Sequence, residues 1–505
     1  MLKFIVGFFL LFFLLFFLLF IPLFVQAQTF EKTISIPAPK EGASRYFYVP
    51  FEVPANIKSL TLSYQYDKKN GANVLDLGVF DSRFDESEQT LRGFRGWSGG
   101  RRSAIFITEN SATNGYVAGK IPAGTWRVAF GLYKVAPEGA EVTVKVKFGD
   151  VDAELLNEPS AEENKSFTLP ALKKLPAPQI FGGYKWFRGD FHLHTFHSDG
   201  TWTIPLILDW ANAGGLDFVG ITEHNTFSHH AKIDALAKNY KNLLVLRGEE
   251  VTTYGGHLNV LGLPSGEIID FRVVPKNINR IKELIAATRK LGAIASINHP
   301  FAPCGGCDWS YGDWRNLDSV EIWNGAWSLL NETALKKWDE FLQNGQKITA
   351  TGASDSHTPP LGEKPPPNAL AIGTPTNHVG MENLTQIDLF EAIRGGRVWI
   401  GNAANDYNLE FSALNGVKKI NIGETAQISS GKIRFDIKTA NFPANSIVSI
   451  ISNGQILFSE AVKQAENSFT KEFEIQKDSY FRLEIRDADK KMLALTNPIY
   501  VQVSR

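Results

Sequence analysis

Residues 186–200 read Trp-Phe-Arg-Gly-Asp-Phe-His-Leu-His-Thr-Phe-His-Ser-Asp-Gly. A short apolar run ends here on His192-x-His194, and Asp199 follows five residues later. Side chains on a strand alternate between its two faces, so His192 and His194 project from the same side of one element. The same event recurs down the chain. His224 follows Phe218–Glu223, Glu250 follows Leu243–Gly248, His257 opens the run Leu258–Leu263, and His299 follows Ala293–Asn298. Asp355 and His357 come after Ile348–Ala353 with the same alternate spacing as the first pair. Parallel α/β barrels gather their active-site groups at the C-terminal ends of strands. If these runs are successive strands of such a layout, six imidazoles and three carboxylates meet at one mouth. Nine ligands exceed the three or four that one catalytic zinc needs, so two or three divalent ions are expected. Mixed N/O ligation suits Zn, Mn or Fe without choosing among them. One histidine alone is more often an ordinary buried or polar residue; the repetition at strand ends is what points to a metal centre.

Around this segment the pattern from Trp186 to about Asn402 alternates strand-like and helix-like runs, the mark of a parallel α/β arrangement. The expected helices are Ile204–Ala213, His230–Tyr240, Ile278–Leu291, Glu332–Gln343 and Gln386–Arg394, two of them stopping at Gly214-Gly215 and Gly345. Before it, residues 28–150 carry short alternating or β-branched runs separated by turns such as Lys69-Asn70-Gly71 and Pro122-Ala123-Gly124, as in a β-sandwich. Residues 151–184 are rich in Pro, Glu, Lys and Ala and read as a linker. Short strands return over 403–505 and suggest a second, smaller β-sandwich. The chain is thus expected to be multidomain: 1–27, 28–150, 151–184, 185–402 and 403–505.

Residues 4–25 are apolar, broken by Gly7 and Pro22 and preceded by Lys3. Val25-Gln26-Ala27 fits cleavage of a signal peptide after Ala27, and the run is also long enough to span a bilayer as an N-terminal anchor. Either outcome implies an exported chain, periplasmic or extracellular, touching membrane only through this segment if it stays uncleaved. With 505 residues, a net charge of −1 and 21% charged residues, the composition is that of an ordinary globular protein. It argues against a uniformly basic nucleic-acid binder, and no stable nucleic-acid partner is expected. Two cysteines exclude a disulfide scaffold. The pair forms Cys304-Gly305-Gly306-Cys307, which cannot complete a tetrahedral thiolate zinc site and reads chiefly as a local disulfide, with a redox role as the alternative.

The series His192-Leu193-His194-Thr195 with Ser198-Asp199-Gly200, Thr222-Glu223-His224-Asn225, Gly248-Glu249-Glu250, Asn298-His299-Pro300 and Asp355-Ser356-His357 resembles, in order, the motifs of the polymerase-and-histidinol-phosphatase (PHP) superfamily. The exported three-domain layout, with Phe94-Arg95-Gly96-Trp97-Ser98-Gly99-Gly100 in its front segment, is similar to the CehA/McbA-like metallohydrolases, which include carbamate-ester hydrolases. The resemblance implies a distorted (β/α)7 barrel over about 185–402. It implies that His192, His194, Glu250 and Asp355 hold one metal, that Glu250 bridges to a second held by His257 and His299, and that Asp199, His224 and His357 hold a third. Asp199 stands where some members carry His. The Gly-x-Glu pattern selects Glu250 as ligand, with Glu249 behind it or exchanging roles with it.

Such a centre would work through a metal-bridging hydroxide, formed near neutral pH because metals lower the pKa of bound water. Asp355, Glu250, His224 and His357 are the expected catalytic groups. The expected activity is hydrolysis of a phosphoester, with a small-molecule or polymeric ester as substrate. A carboxyl- or carbamate-ester hydrolase on the same centre, and a non-catalytic surface binding protein, are the alternatives. No Gly-x-Ser-x-Gly elbow or P-loop competes. His197, His229, His230 and His378 remain unassigned. Arg394 and Arg397 read as a solvated helix end or an anion contact. Glu321, Trp323 and Asn324, at another strand end, either line the pocket or pack. Trp309, Tyr311 and Trp314, and in the front segment Trp97, Trp126 and Tyr133, are stacking or core aromatics.

Overall fold

The structure, a computed structural model, describes residues 29–504 apart from residues 89, 164, 166 and 430. The apolar segment 4–25 and the cleavage site after Ala27 lie outside the described residues.

The front region is all strand. Thr29–Ile36, Ala140–Phe148, Ser59–Tyr66 and Ala104–Thr108 form one four-stranded sheet; Tyr46–Val53, Gly124–Lys134, Val74–Phe80 and Phe94–Gly99 form another. Alternation dictates the layering. In Ser59–Tyr66 the side chains of Leu60, Leu62 and Tyr64 are buried while Ser59, Thr61 and Ser63 are half-exposed and Gln65 is exposed. They meet Phe130, Val128 and Leu77 of the other sheet in one apolar core. Residues 151–184 are not a bare linker. Ala153–Glu163 is helical despite Pro159. Its Ala, Leu and Glu residues are strong helix formers. Glu162 is also tied to the front region, accepting from Arg102 at 2.8 Å and from Asn114 Nδ2 at 2.9 Å.

The central region is built on β1 (Tyr184–Asp190), β2 (Phe218–His224), β3 (Leu244–Thr253), β4 (Gly256–Leu261), β5 (Ile294–Ile297), β6 (Ser319–Asn324), β7 (Thr349–Ala353), β8 (Thr376–Met381) and β9 (Val398–Gly401). Their order across the sheet is 7-6-5-4-3-2-1-8-9. The pairs β1–β2, β2–β3, β5–β6 and β6–β7 are parallel; β3–β4, β4–β5, β1–β8 and β8–β9 are antiparallel. The helices α1 (Ile204–Gly214), α2 (His230–Leu236), α3 (Ile278–Lys290), α4 (Leu329–Gln343) and α5 (Gln386–Arg394) lie between strands. This differs from regular βα alternation. β3 runs straight into β4 through a tight hairpin, and a loop without a helix joins β5 to β6. The hydrogen-bonded ladder does not close into a seven-stranded barrel. Between β7 and β8 a side chain does the bridging instead: Asn377 accepts from Gly352 N at 2.8 Å and donates to Gly352 O at 2.6 Å.

Helix ends follow the sequence signals. Thr203 caps α1 by accepting from Leu206 N, and Gly215 ends it at φ 78°, which a residue with a Cβ adopts at a cost. The boundary at 402 is not a gap. β9 pairs with Met492–Thr496, so the central sheet continues into the C-terminal region. There it faces a second sheet containing Asn408–Asn415 and Gly431–Ala440, around a core in which Phe435 and Phe481 lie 4.4 Å apart.

Candidate metal centre

The strand ends deliver the expected residues to one place. His192 and His194 follow β1 on the same side, as period two requires. Leu193 pairs with Ser356, and His194 N donates to Ser356 O at 3.1 Å, which sets the His192-x-His194 and Asp355-x-His357 pairs beside each other. His224 and Glu250 are register partners across β2 and β3. Glu250 thus lies within a longer strand than its sequence position suggested, and the hairpin brings His257 back beside it.

Three overlapping groups form: His192, His194 and Glu250; Glu250, His257 and His299; and His194, Asp199, His224 and His357. In each, the ligand atoms lie within 4.8 Å of one another. Asp355 joins the first group, with Oδ1 3.2 Å from both His192 Nε2 and His194 Nε2. Glu250 stands between the first two groups. Its Oε2 is 3.4 Å from His192 Nε2 and 2.7 Å from His224 Nδ1, and its Oε1 is 3.0 Å from His257 Nδ1 and 3.3 Å from His299 Nε2. Asp199 Oδ1 lies 3.4 Å from His224 Nε2 and 3.2 Å from His357 Nε2.

Whether these residues fit divalent cations is tested by the atoms left without a partner. His192 Nε2, His194 Nε2, Glu250 Oε2 and Asp355 Oδ1 are buried and make no hydrogen bond, only ion-pair approaches within the cluster, where they face one another. An unsatisfied buried polar atom costs about 1–3 kcal/mol, and four in one spot are unexplained as a structural feature. A cation among them removes the penalty. The charge state agrees. Burial would raise Glu250, but His224, His192 and His257 hold it well below the usual carboxylate range. Asp355 is lowered likewise against burial, chiefly by His192 and His194. Burial, aided by His357 and His224, pushes His194 down to about 3, leaving a neutral imidazole with a free lone pair. His224 and His357 go the other way, to about 9 and about 10, because Glu250 and Asp199 outweigh burial. The donor set is that of a site for divalent metal ions.

A supporting layer orients the ligands. Glu321, on β6, accepts from His192 Nδ1 at 2.9 Å, from His299 N at 3.1 Å and from Asn324 Nδ2 at 3.0 Å. That bond fixes the His192 tautomer with Nε2 toward the cluster. Asn298 Nδ2 donates to Glu250 Oε1 at 2.9 Å. Two residues the sequence reading passed over belong here. Asp190 accepts from Ser354 N, Gly373 N and His192 N, tying the end of β1 to the segment after β7. Glu223 accepts from Thr195 N at 2.9 Å and from the hydroxyls of Thr195 and Ser198. The signal for Asp190 was present: it shares the alternate-residue face of His192 and His194. Backbone strain accompanies the site. Asn225, His299 and Asp355 have φ of 50°, 25° and 53°, a region that costs non-glycine residues on the order of 1–3 kcal/mol.

Other expected residues fall outside the cluster. Glu249 points to the opposite face of β3, where Oε2 accepts from Ile269 N at 2.7 Å. His197 Nδ1 lies 2.9 Å from Ser228 Oγ. His229 and His230 are buried against each other, and His378 stacks on Trp399 at 3.5 Å. Arg394 pairs with Asp318 and Arg397 donates to Gly380 O, both structural. Trp323 is buried and donates to Gly325 O. Tyr311 is buried against Thr253. Cys304 and Cys307 form the expected local disulfide.

Above the cluster lies a cavity of about 620 Å³. Its floor includes His224, Glu250, His257, His299, Asp355 and His357; the disulfide lines one side; and the front region supplies a wall with Asp76, Trp97, Arg101 and Tyr133. The sequence did not show that the front region completes the site. The docking is specific. Tyr254 Oη donates to Asp76 Oδ2 at 2.5 Å, Arg101 donates to Asp199 O at 2.9 Å, and Tyr46 Oη donates to Phe271 O at 3.2 Å.

No family model matches the chain. An uncharacterized protein of Methanocaldococcus jannaschii is 29% identical over 166 residues, 30% of this chain and 90% of that protein. A crystal structure from Bacteroides vulgatus, described as a two-domain protein containing a predicted PHP-like metal-dependent phosphoesterase, is similar at a TM-score of 0.40 and 17% identity, over 66% of this chain and all of that one. PsfC from Pseudomonas syringae is similar at a TM-score of 0.30 and 16% identity, over 41% and 87%. At these scores no function passes from those proteins to this chain, and the reading of the site rests on its own geometry.

Proposed function

We propose that this chain is an exported metal-dependent hydrolase of the PHP type, acting on a phosphoester. The observation that carries the metal dependence is the set of four buried ligand atoms without a hydrogen bond on His192, His194, Glu250 and Asp355, the last two of which line a cavity large enough for a small substrate. His192, His194, Glu250 and Asp355 would hold one ion, Glu250 with His257 and His299 a second, and Asp199, His224 and His357 a third. Bound divalent ions supply a water of lowered pKa and a Lewis acid for the substrate oxygen. The chain's own residues keep the carboxylates charged, orient the imidazoles through Glu321 and Asn298, and cover the site with the front region. The motif series supports a barrel of the (β/α)7 kind, and the Cys304–Cys307 disulfide supports an oxidising compartment outside the cytoplasm.

A carboxyl- or carbamate-ester substrate is the second reading. It is favoured by the cavity walls, where Trp97 and Tyr133 offer aromatic surface and Arg101 is the one Arg or Lys among the described lining residues. The test is hydrolysis by residues 28–505, loaded with Mn or Zn, on nitrophenyl phosphate monoester, phosphate diester and carboxyl ester, beside Asp355→Ala. Phosphate turnover lost in the variant supports the phosphoesterase. Ester turnover alone moves the assignment to the second reading. Silence on all three, with metal bound, favours a non-catalytic binding protein.

A further inference from the structure

The front region contributes one carboxyl group to the cavity wall, Asp76, and its setting is unlike that of the ligand carboxylates. It lines the same cavity as His224, Glu250, His257, His299, Asp355 and His357 and is within hydrogen-bond distance of none of them. Its Oδ2 accepts from Tyr254 Oη at 2.5 Å. Its Oδ1 lies on the side of Gly99 and Gly100, where a Cβ added at Gly100 would stand 3.6 Å away. Trp97, Tyr133 and Tyr254 surround the pair with aromatic surface. Desolvation raises the Tyr254 phenol well above its ordinary value, and Asp76 and Tyr46 add to this, so Tyr254 keeps its proton and always donates. A proton on Asp76 must then sit on Oδ1, the oxygen Tyr254 does not occupy.

We propose that Asp76, delivered by the front region, is the general acid that protonates the leaving oxygen of the substrate. This rests on the hydrolase reading of the site below it. A water oxygen bonds to the phosphorus, or to the acyl carbon in the second reading. The bond from that atom to the leaving oxygen breaks, and its electron pair goes to the oxygen, which takes the proton from Asp76 Oδ1. The water's spare proton passes to solvent, and Asp76, now a carboxylate held by Tyr254, regains a proton from solvent. Burial raises the Asp76 carboxyl to about 6 in the metal-free protein, with the Tyr254 bond and His224 opposing and Asp199 assisting.

The experiment uses the full metal-loaded chain and matched phenyl and 4-nitrophenyl esters of whichever acid the wild type hydrolyses. Nitrophenolate departs without help; phenolate needs the proton. General-acid groups contribute about 10²- to 10⁴-fold. Asp76→Asn is therefore expected to lose at least about tenfold more kcat/KM on the phenyl ester than on the nitrophenyl ester, with Asp76→Glu recovering part of that ratio. Metal content and thermal unfolding check the fold; if Asp76→Asn fails to fold, Tyr254→Phe, which keeps the ring and removes the bond that lowers Asp76, is expected to move the alkaline limb of the phenyl-ester rate to higher pH, and an unmoved limb overturns the inference. Equal losses on both esters overturn the inference and leave the hydrolase reading standing. A wild type that hydrolyses neither ester overturns both.

Discussion

Glu321→Gln isolates the supporting layer from the ligands, because Glu321 touches the centre only through other residues. Its Oε1 accepts from His192 Nδ1 at 2.9 Å, while Oε2 accepts from His299 N at 3.1 Å and Asn324 Nδ2 at 3.0 Å. A carboxylate accepts from these donors, and from Asn259 Nδ2 at 3.5 Å, through two acceptor oxygens; a carboxamide keeps one acceptor oxygen and puts an NH2 in place of the other. If the amide oxygen takes the Oε2 side, the NH2 faces His192 Nδ1. The imidazole must then accept at Nδ1 and carry its proton on Nε2, the atom aimed at Glu250 and Asp355. Protonated Nε2 cannot ligate. If the amide turns the other way, two donors are orphaned, at about 1–3 kcal/mol each. Either route weakens the ion nearest His192, and loss of such a partner typically costs about 10- to 100-fold in metal affinity, or about 1.4–2.7 kcal/mol. The assay is competition between the protein and a chromogenic chelator for Zn at fixed pH, with folding followed by circular dichroism. A dissociation constant unchanged in a folded Glu321→Gln protein would refute the assignment of Glu321 as the group that sets the His192 tautomer.

Metal binding should release protons at neutral pH, because Glu250 and Asp199 hold protons on His224 and His357, raised to about 9 and about 10. Affinity should therefore rise with pH, and calorimetry in buffers of different ionisation enthalpy reads the protons released. Asp355→Ala should lose the ion shared with His192 and His194 and with it about 10²- to 10³-fold in turnover, the scale on which groups stabilising transition-state charge act; retained turnover would count against the centre. Asp76 should make the fold sensitive to pH. Its folded value, about 6, lies above the ordinary carboxylate value, so its stabilising contribution is full at low pH and is lost as pH rises through about 6. Asp76→Asn mimics the protonated form, and its unfolding free energy relative to wild type should rise between pH 4 and 7, on the order of 3 kcal/mol from the shift alone. The groups facing Asp76 are Tyr254, His224 and Asp199, so the difference is read in metal-free protein against Tyr254→Phe. Gly131→Ala should undock the front region, because the new Cβ would meet Tyr254 Oη and lie 2.8 Å from Trp97 Cη2. Overpacking of this kind costs about 1–3 kcal/mol, seen as a lower unfolding midpoint.

The centre was legible because its chemistry is periodic. Ligand pairs at alternate residues, each after an apolar run, follow from strand geometry, and the structure brings those side chains together. Glu321 and Asp190 were harder to read for a physical reason. A residue that holds a ligand in place is a lone carboxylate on a strand, which in sequence looks the same as one that caps a turn. Glu249 against Glu250 is the converse case. Adjacent identical side chains cannot be ranked by composition, and only the pleat of β3, which turns Glu250 inward and Glu249 toward Ile269 N, separates them. Regular βα alternation was expected because apolar runs of similar length carry no mark of direction, so the β3–β4 hairpin, turning at Tyr254-Gly255, read like any other strand boundary. That hairpin brings His257 beside Glu250, and at its turn Tyr254 reaches Asp76 from the other region. The least legible feature is the cavity wall. Asp76, Trp97 and Arg101 sit in a β-rich stretch whose alternation reports only which side chains are buried, not whether they are buried in a core or against a neighbour. Trp97 shows the ambiguity: it is 3% exposed, as a core residue would be, yet it lines the cavity beside the candidate metal-ligating side chains. Strand periodicity therefore locates the candidate metal-ligating cluster, while the cavity wall above it comes from a contact between regions that no local pattern encodes.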